Sequence, residues 1–328
     1  MIVVIGGSGF VGRALVPALL AEGERVRVGS RRPPPRLERG VTWISCDVRL
    51  PATLPAALEG ASCAYYLVHS IGQRDYPGAE RRAALAFAKS AAASGLERIV
   101  YLGGVAPRGA PSEHLGSRLE VGEILRAGEV PTIELRASMI VGAGSASWRI
   151  VRDLSRRLPF MVLPRWLESK SRPLALDDAV RALVAARRVP LAKSTWFDIP
   201  GPDTLTAREI LEHVAALDRR RVPSVGVPLL TPRLSSLWLA LVTSADYGVS
   251  KELVLGLTSD LLPRDERFWE LAGGPPRISF DDAARAALAA ERDAPGLGQR
   301  VARLEESLVR RLSPRLTITP ARGSPRRA

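Results

Sequence analysis

The run Gly6-Gly7-Ser8-Gly9-Phe10-Val11-Gly12 carries the clearest chemistry in this chain. It follows the apolar residues Ile2–Ile5 and opens an amphipathic stretch, Phe10–Ala21. Glycines at this spacing between a strand and a helix permit a tight turn, a close approach of backbone to pyrophosphate, and direct helix–strand contact. Backbone N–H groups at the helix start, helped by the helix dipole, then face phosphate oxygens. The pattern predicts a dinucleotide site in which Gly6, Gly7, Ser8, Gly9, Phe10, Val11 and Gly12 surround the phosphates.

The next strand bears on which dinucleotide. A carboxylate at its end would accept hydrogen bonds from a ribose 2′-hydroxyl and favour NAD. Here the end reads Val28-Gly29-Ser30-Arg31-Arg32, with no acid. Guanidinium groups at that point suit a 2′-phosphate, because charge-assisted hydrogen bonds there can be bidentate. Solvated surface arginines would look the same. Ser30, Arg31 and Arg32 therefore favour NADP over NAD. Asp47 and Val48, at the end of the third strand, fit the adenine end, with the Asp47 carboxylate near the adenine amine.

The elements that must position these groups alternate strand and helix, the rhythm of a parallel sheet. Strands are predicted at 2–5, 25–28, 41–44, 63–68, 98–102 and 132–135, with helices at 10–21, around 52–58, 79–94 and 115–126. After Gly142 the rhythm loosens, with helices at 147–157, 177–186, 206–217 and 280–290 and a short strand at 196–199. Thr206 with Glu209 has capping-box spacing. The fold class is α/β: a Rossmann-type, doubly wound parallel sheet with a smaller C-terminal substrate lobe. Residues 1–145 would form the NAD(P)-binding domain, 146–295 the part that completes the sheet and builds the lobe, and 296–328 a basic amphipathic helix and tail.

Composition narrows the partners. The 328 residues are 46% hydrophobic and 25% charged, ordinary for a globular protein with a full core. The net charge of +13 invites nucleic acid, but residues 296–328 hold eight Arg against two Glu, about half the excess, so nucleic-acid binding is disfavoured. In that segment Leu297, Val301, Leu304, Leu308 and Leu312 recur at helical spacing. Packing on the body, a homodimer contact or a peripheral membrane contact are the alternatives, packing or dimerisation the commoner. The two cysteines, Cys46 and Cys63, have no His or Cys at ligand spacing, so no metal site is expected. The first strand begins at Ile2, and the default expectation is a cytoplasmic protein.

Several further segments resemble one family. They are Tyr65-Tyr66-Leu67-Val68-His69-Ser70-Ile71-Gly72, Arg98-Ile99-Val100-Tyr101-Leu102-Gly103-Gly104, Ser117–Leu125, Glu134–Gly142, Phe197–Pro202 and Leu230–Ser236. With the glycine run, these resemble the atypical and extended short-chain dehydrogenase/reductases, specifically their NmrA-like and YbjT-like NAD(P)H-binding group. The similarity runs from Met1 to about Leu288 and does not cover the Arg-rich extension. It implies a cofactor cleft beyond the carboxyl ends of the strands, lined by Val68, His69, Ser70, Gly103 and Gly104.

The resemblance also exposes a gap. Tyr-dependent members use a Ser after strand five and a Tyr-x-x-x-Lys pair on the next helix, in which Lys lowers the Tyr pKa for proton transfer. Here Gly103-Gly104 stands in place of the Ser, and His114-Leu115-Gly116-Ser117-Arg118 in place of the pair. Arg stays protonated and cannot shuttle protons, though Arg118 could fix a ribose or polarise a carbonyl. His69 and His114 are the candidate catalytic residues, against structural or loop roles for both. Arg136 needs a partner if buried: an internal ion pair or a cofactor-side contact. The expected function is NADPH-dependent reduction of a small apolar carbonyl or quinone-like compound. The rival is a non-catalytic NADP(H)-binding sensor or assembly protein.

Overall fold

The computed structural model describes residues 1–34, 37–69, 76–157, 161–220, 224–227 and 259–293. Its centre is a seven-stranded sheet whose pairings are all parallel. The strands are β1 (Ile2–Ile5), β2 (Val26–Ser30), β3 (Val41–Ser45), β4 (Cys63–Tyr66), β5 (Arg98–Gly104), β6 (Thr132–Ala137) and β7 (Thr195–Asp198). In space they run β7-β6-β5-β4-β1-β2-β3. The order reverses beside β1, and that reversal opens a crevice at the carboxyl ends of β1 and β4.

Helices cover both faces, as parallel crossovers require. On one face α1 (Phe10–Ala21) packs with α6 (Leu176–Ala186) over Val4, Val28, Tyr65, Val100 and Leu135. On the other lie α2 (Leu54–Leu58), α3 (Tyr76–Ala93) and α4 (Glu113–Ala127), over Ile5, Tyr66, Ile99 and Tyr101. Strand alternation thus splits the adjacent tyrosines. Tyr65 donates to the Leu183 carbonyl (3.0 Å) on the first face, while the Tyr66 ring lies 4.7 Å from that of Phe87 on the second. Both are core residues.

A second core sits beyond β6. Trp148 on α5 (Ala146–Arg157) packs with Ile210 and Val214 on α7 (Ala207–Leu217) and with Phe280 and Ala284 on α8 (Phe280–Asp293). The Thr206–Glu209 capping box forms at the start of α7. The chain then returns to the first core, where Phe268 is fully buried beside Phe197.

Some element boundaries differ from the sequence expectations for physical reasons. β5 continues through Gly103 and Gly104 because these pair with Arg136 and Ala137 of β6. β4 stops at Tyr66, two residues short of the expected end, and α3 begins at Tyr76 rather than Ala79. Ser70, Ile71 and Gly72, the Leu230–Ser236 segment, and residues 296–328 lie outside the described residues. Among those described, no helix is long and apolar enough to cross a membrane.

Several arginines point inward. Nη1 of Arg27 donates to the carbonyls of Ala56, Ala57 and Glu59 at the end of α2, and Nη1 of Arg98 does the same to Ala186, Arg187 and Val189 at the end of α6. Cations there complement the negative helix terminus and satisfy its unpaired carbonyls.

Candidate cofactor and active site

The glycine run forms a turn that only glycine permits at two points. Gly6 has φ +85°, in the left-handed region. A Cβ on Gly12 would lie 2.5 Å from the Gly7 Cα and 2.7 Å from the Gly6 carbonyl oxygen, so the helix start is pressed onto the turn. No side chain caps α1 at Gly9. Its first N–H groups have no partner within the helix, which leaves donors and the positive end of a dipole aimed into the crevice. This arrangement fits a pyrophosphate. Val68 packs over Gly6: its Cγ2 lies 3.3 Å from where a Gly6 Cβ would be.

At the end of β2 the Ser30 hydroxyl is engaged locally. It donates to the Arg32 carbonyl (2.6 Å) and accepts from the Trp43 indole (3.1 Å). That lock shapes the turn on which Arg31 and Arg32 stand exposed. One strand over, Cys46 N donates to the Ser30 carbonyl, which brings Asp47 alongside this turn. Oδ1 of Asp47 accepts from Arg49 N and Nε, both at 3.0 Å, and Oδ2 accepts from Nη2 at 2.7 Å. The bond from the Arg49 side chain, with smaller help from the Arg31 charge, holds the Asp47 carboxyl below its usual range. Val48 is a core residue beside Leu54 and Tyr66.

At the other end of the crevice His69 meets the two residues that stand in place of the Tyr-Lys pair, His114 and Arg118. His69 follows β4; His114 and Arg118 stand on α4, which is capped by the Ser112 hydroxyl. Arg118 is buried and donates Nη1 to the Val68 carbonyl (3.2 Å) and Nη2 to that of Leu102. Its guanidinium lies 5.0 Å over the Tyr101 ring, whose hydroxyl donates back to the Arg118 carbonyl (2.9 Å). Arg118 thus ties the end of β4 to β5 and fixes a positive charge beneath both imidazoles. His69 is an exposed residue whose imidazole is nonetheless set among protein groups, Arg118 among them. Desolvation, then the Arg118 charge, pull its pKa down to about 4. Desolvation, Arg118 and His69 together pull His114 down to about 3. Both imidazoles are neutral at pH 7.

The two glycines after β5 have different neighbours. A Cβ on Gly104 would meet Leu115 Cδ2 at 3.0 Å and approach the Arg118 stem, next to the imidazoles. A Cβ on Gly103 would lie 2.7 Å from Oε1 of Glu134. Glu134 is fully buried, and sequence reasoning did not single it out. Its carboxylate takes bonds from Arg126 Nε (2.8 Å) and Arg136 Nε (2.9 Å). Of the two roles open to Arg136, the structure shows the ion pair, with the guanidinium also 4.3 Å over the Trp196 ring. The signal was present as Glu134 and Arg136 at i, i+2 on an otherwise apolar strand, which puts both on one face. Ser145 and Ser147 hydrogen-bond each other at the start of α5 (3.1 Å).

Behind the crevice, the fully buried Asp198 at the end of β7 accepts from the backbone N–H of Arg264 (2.6 Å) and Asp265 (3.2 Å). Burial raises its pKa against the opposing effect of those bonds. Arg264 in turn donates to the Pro107 carbonyl (2.9 Å), in the loop that leads to His114.

Comparison with known proteins agrees with this geometry. Residues 2–124 match the NAD dependent epimerase/dehydratase family. The match runs from β1 into α4 and so covers the glycine turn and the first five strands. Across most of its length the chain is similar to the ceramide reductase of Caulobacter vibrioides, 28% identical over 295 residues, which cover 86% of this chain and 91% of that protein. An uncharacterized protein of Mycobacterium tuberculosis is 27% identical over 245 residues, 74% of this chain. The match spans only 26% of that longer protein, about a quarter. Among solved structures, MoeE5 in complex with UDP-glucuronic acid and NAD superimposes with a TM-score of 0.69 at 17% identity, over 89% of this chain and 98% of that one. That likeness is one of fold.

Proposed function

We propose that this protein is an NADP(H)-dependent reductase of an apolar carbonyl or quinone-like compound, within the NmrA-like and YbjT-like group. The observation that carries the reading is the glycine cradle, with Arg31 and Arg32 at the adenosine end and two neutral imidazoles at the other. The similarity to a protein named ceramide reductase supports reduction as the reaction and a lipid-like carbonyl as the substrate class.

Bound NADPH would supply the hydride. The uncapped start of α1 binds the phosphates, and Arg31 and Arg32 hold the 2′-phosphate. Val68, His69, Gly103, Gly104 and Arg118 would line the nicotinamide end, where the resemblance also assigns Ser70, with Asp47 and Val48 towards the adenine end. Imidazoles with pKa values of about 4 and about 3 hold no spare proton at pH 7. Each still has one N–H, and a neutral imidazole can polarise a carbonyl by hydrogen bonding. His114 and His69 are the residues for that role, and the proton that completes the alcohol comes from water.

A specific observation favours a second reading, that of a non-catalytic NADP(H) sensor or assembly protein in the cytoplasm. Arg118, where the catalytic Lys would stand, bonds two backbone carbonyls. NADPH oxidation against enals, ketones, quinones and ceramide-type ketones separates the two. Turnover on any of them, lowered at least tenfold in His114→Ala, is expected for the reductase. Tight NADPH binding with no turnover on the panel would sink it.

A further inference from the structure

We infer that residues 259–265 form a strap, anchored on Asp198 and on the C-terminal lobe, that sets the place of the His114 imidazole, with Arg264 as a positioning residue for the reduction. This inference rests on the reductase reading above and adds residues that act on the site only through the loop before α4.

The loop creates the need. His114 stands in the first turn of α4, and the chain reaches it from β5 through residues 105–112. Arg108, Gly109, Ala110 and Pro111 are exposed, so the middle of this loop brings no core of its own. An imidazole that polarises a carbonyl must be held close to one geometry by its surroundings.

The strap holds that loop at three points. Arg264 Nη2 donates to the Pro107 carbonyl (2.9 Å). Leu261 is buried with Val105, at the start of the loop, and with Leu115, the residue after His114. Ser259 Oγ lies 3.6 Å from where a Gly109 Cβ would be, beside the exposed middle.

The strap is itself fixed from two sides. Oδ2 of the buried Asp198 accepts from the backbone N–H of Arg264 (2.6 Å) and Asp265 (3.2 Å), while Asp198 N donates to the Asp265 carbonyl (2.8 Å). On the lobe side Leu261 N donates to the Lys170 carbonyl, and Asp260 Oδ1 accepts from Lys170 N, both at 2.8 Å. A buried carboxylate bonded to backbone N–H groups makes a stiff mount. The lobe and the loop that carries His114 are thereby tied together, and the exposed Arg264 side chain is the tie that can be cut without opening a core.

The test uses the full chain, whose three histidines, His69, His114 and His213, give three sets of imidazole signals by NMR. His114→Asn assigns its own set, and His213, bonded to Asp281 on α8, is the internal control. Arg264→Gln is expected to shift the His114 signals and leave those of His213 in place. It should lower kcat roughly tenfold through misplacement of the imidazole, with NADPH affinity and thermal midpoint near wild type. Arg264→Lys, whose ammonium still offers a donor to the Pro107 carbonyl, should recover part of the rate. Leu261→Ala, which loosens the same loop through its apolar contact, should move the same signals. Unmoved His114 signals in both Arg264→Gln and Leu261→Ala would overturn the inference, and so would moved signals at full kcat. No turnover by the wild-type chain on any carbonyl of the panel would sink the reductase reading and the strap's part in reduction with it, whereas turnover with unmoved signals sinks the strap alone.

Discussion

The carboxylate of Glu134 occupies the volume that any side chain on Gly103 would need, with Oε1 only 2.7 Å from the position of a Cβ there. The same carboxylate lies 2.5 Å from a Cβ on Gly122, so one buried acid keeps two positions on neighbouring elements as glycine. Glu134 cannot move away easily, because Arg126 and Arg136 hold it. At Gly103 the missing serine therefore reflects packing beneath the cleft.

Gly103→Ser should destabilise the fold by roughly 1–3 kcal/mol, the usual cost of overpacking a close-packed core. It should not raise reductase activity. Glu134→Ala should cost more, about 3–5 kcal/mol, because it leaves buried guanidinium charge uncompensated. Chemical denaturation of the two variants beside wild type measures both, and a Gly103→Ser midpoint equal to wild type would contradict this account of the packing.

Gly12→Ala acts at the other end of the sheet. Its methyl group would meet Gly7 Cα and two backbone carbonyls, none of which is the end of a flexible side chain. The turn must shift, and its phosphate donors shift with it. NADPH affinity is expected to fall at least tenfold while circular dichroism stays near wild type. Unchanged affinity would mean that the phosphates bind elsewhere.

Acid should weaken the protein through His69 and His114. Both have folded-state pKa values below the usual 6.5, near 4 and 3. Between those values and 6.5 the unfolded chain binds protons that the folded chain does not. Their contribution to stability is thus whole above about pH 6.5 and is lost as pH falls towards the folded values. Thermal melts from pH 7.5 to 4.5 should show a steeper decline for wild type than for the double variant His69→Asn/His114→Asn. Parallel curves would place the acid sensitivity in other groups.

Arg118→Lys preserves the charge but loses the fork. Two carbonyls, of Val68 and Leu102, now share two arms of one guanidinium that also stacks on Tyr101. A single ammonium can serve one of them well. A loss of about 1–3 kcal/mol is expected for the carbonyl left unsatisfied, with weaker NADPH binding because the end of β4 loosens. Equal melting temperatures for Arg118→Lys and wild type would refute the clamp.

The sheet was legible because its strands are short β-branched runs with punctuated ends, and the glycine turn because strand and helix flank it in sequence. What the sequence hid is contact between distant segments. Arg118 looked like a ribose or carbonyl ligand, and only the fold brings its arms to Val68 and Leu102. Gly103 looked like an empty catalytic position until β6 laid Glu134 beside it. Asp47 looked like an adenine contact, and its pairing with Arg49, two residues away, stayed hidden because it depends on a turn that Thr53 stabilises. Asp198 carries no local pattern at all, since both its partners come from residues 264 and 265.

The core beneath the cofactor crevice is closed from far along the chain. Leu183 accepts the Tyr65 hydroxyl, Arg98 binds the end of α6, and Phe268 is buried against Phe197, with the Trp269 indole on the Pro200 carbonyl. Residues 1–145 hold every glycine and arginine of the proposed nucleotide site, yet α6, which shares one sheet face with α1, and the edge strand β7 come from beyond them. The smallest autonomous folding unit therefore extends at least to Leu271. A nucleotide-binding fragment cut at the end of β6 would expose to water the part of the sheet face that α6 covers, so the first strands and the glycine turn depend on residues made much later.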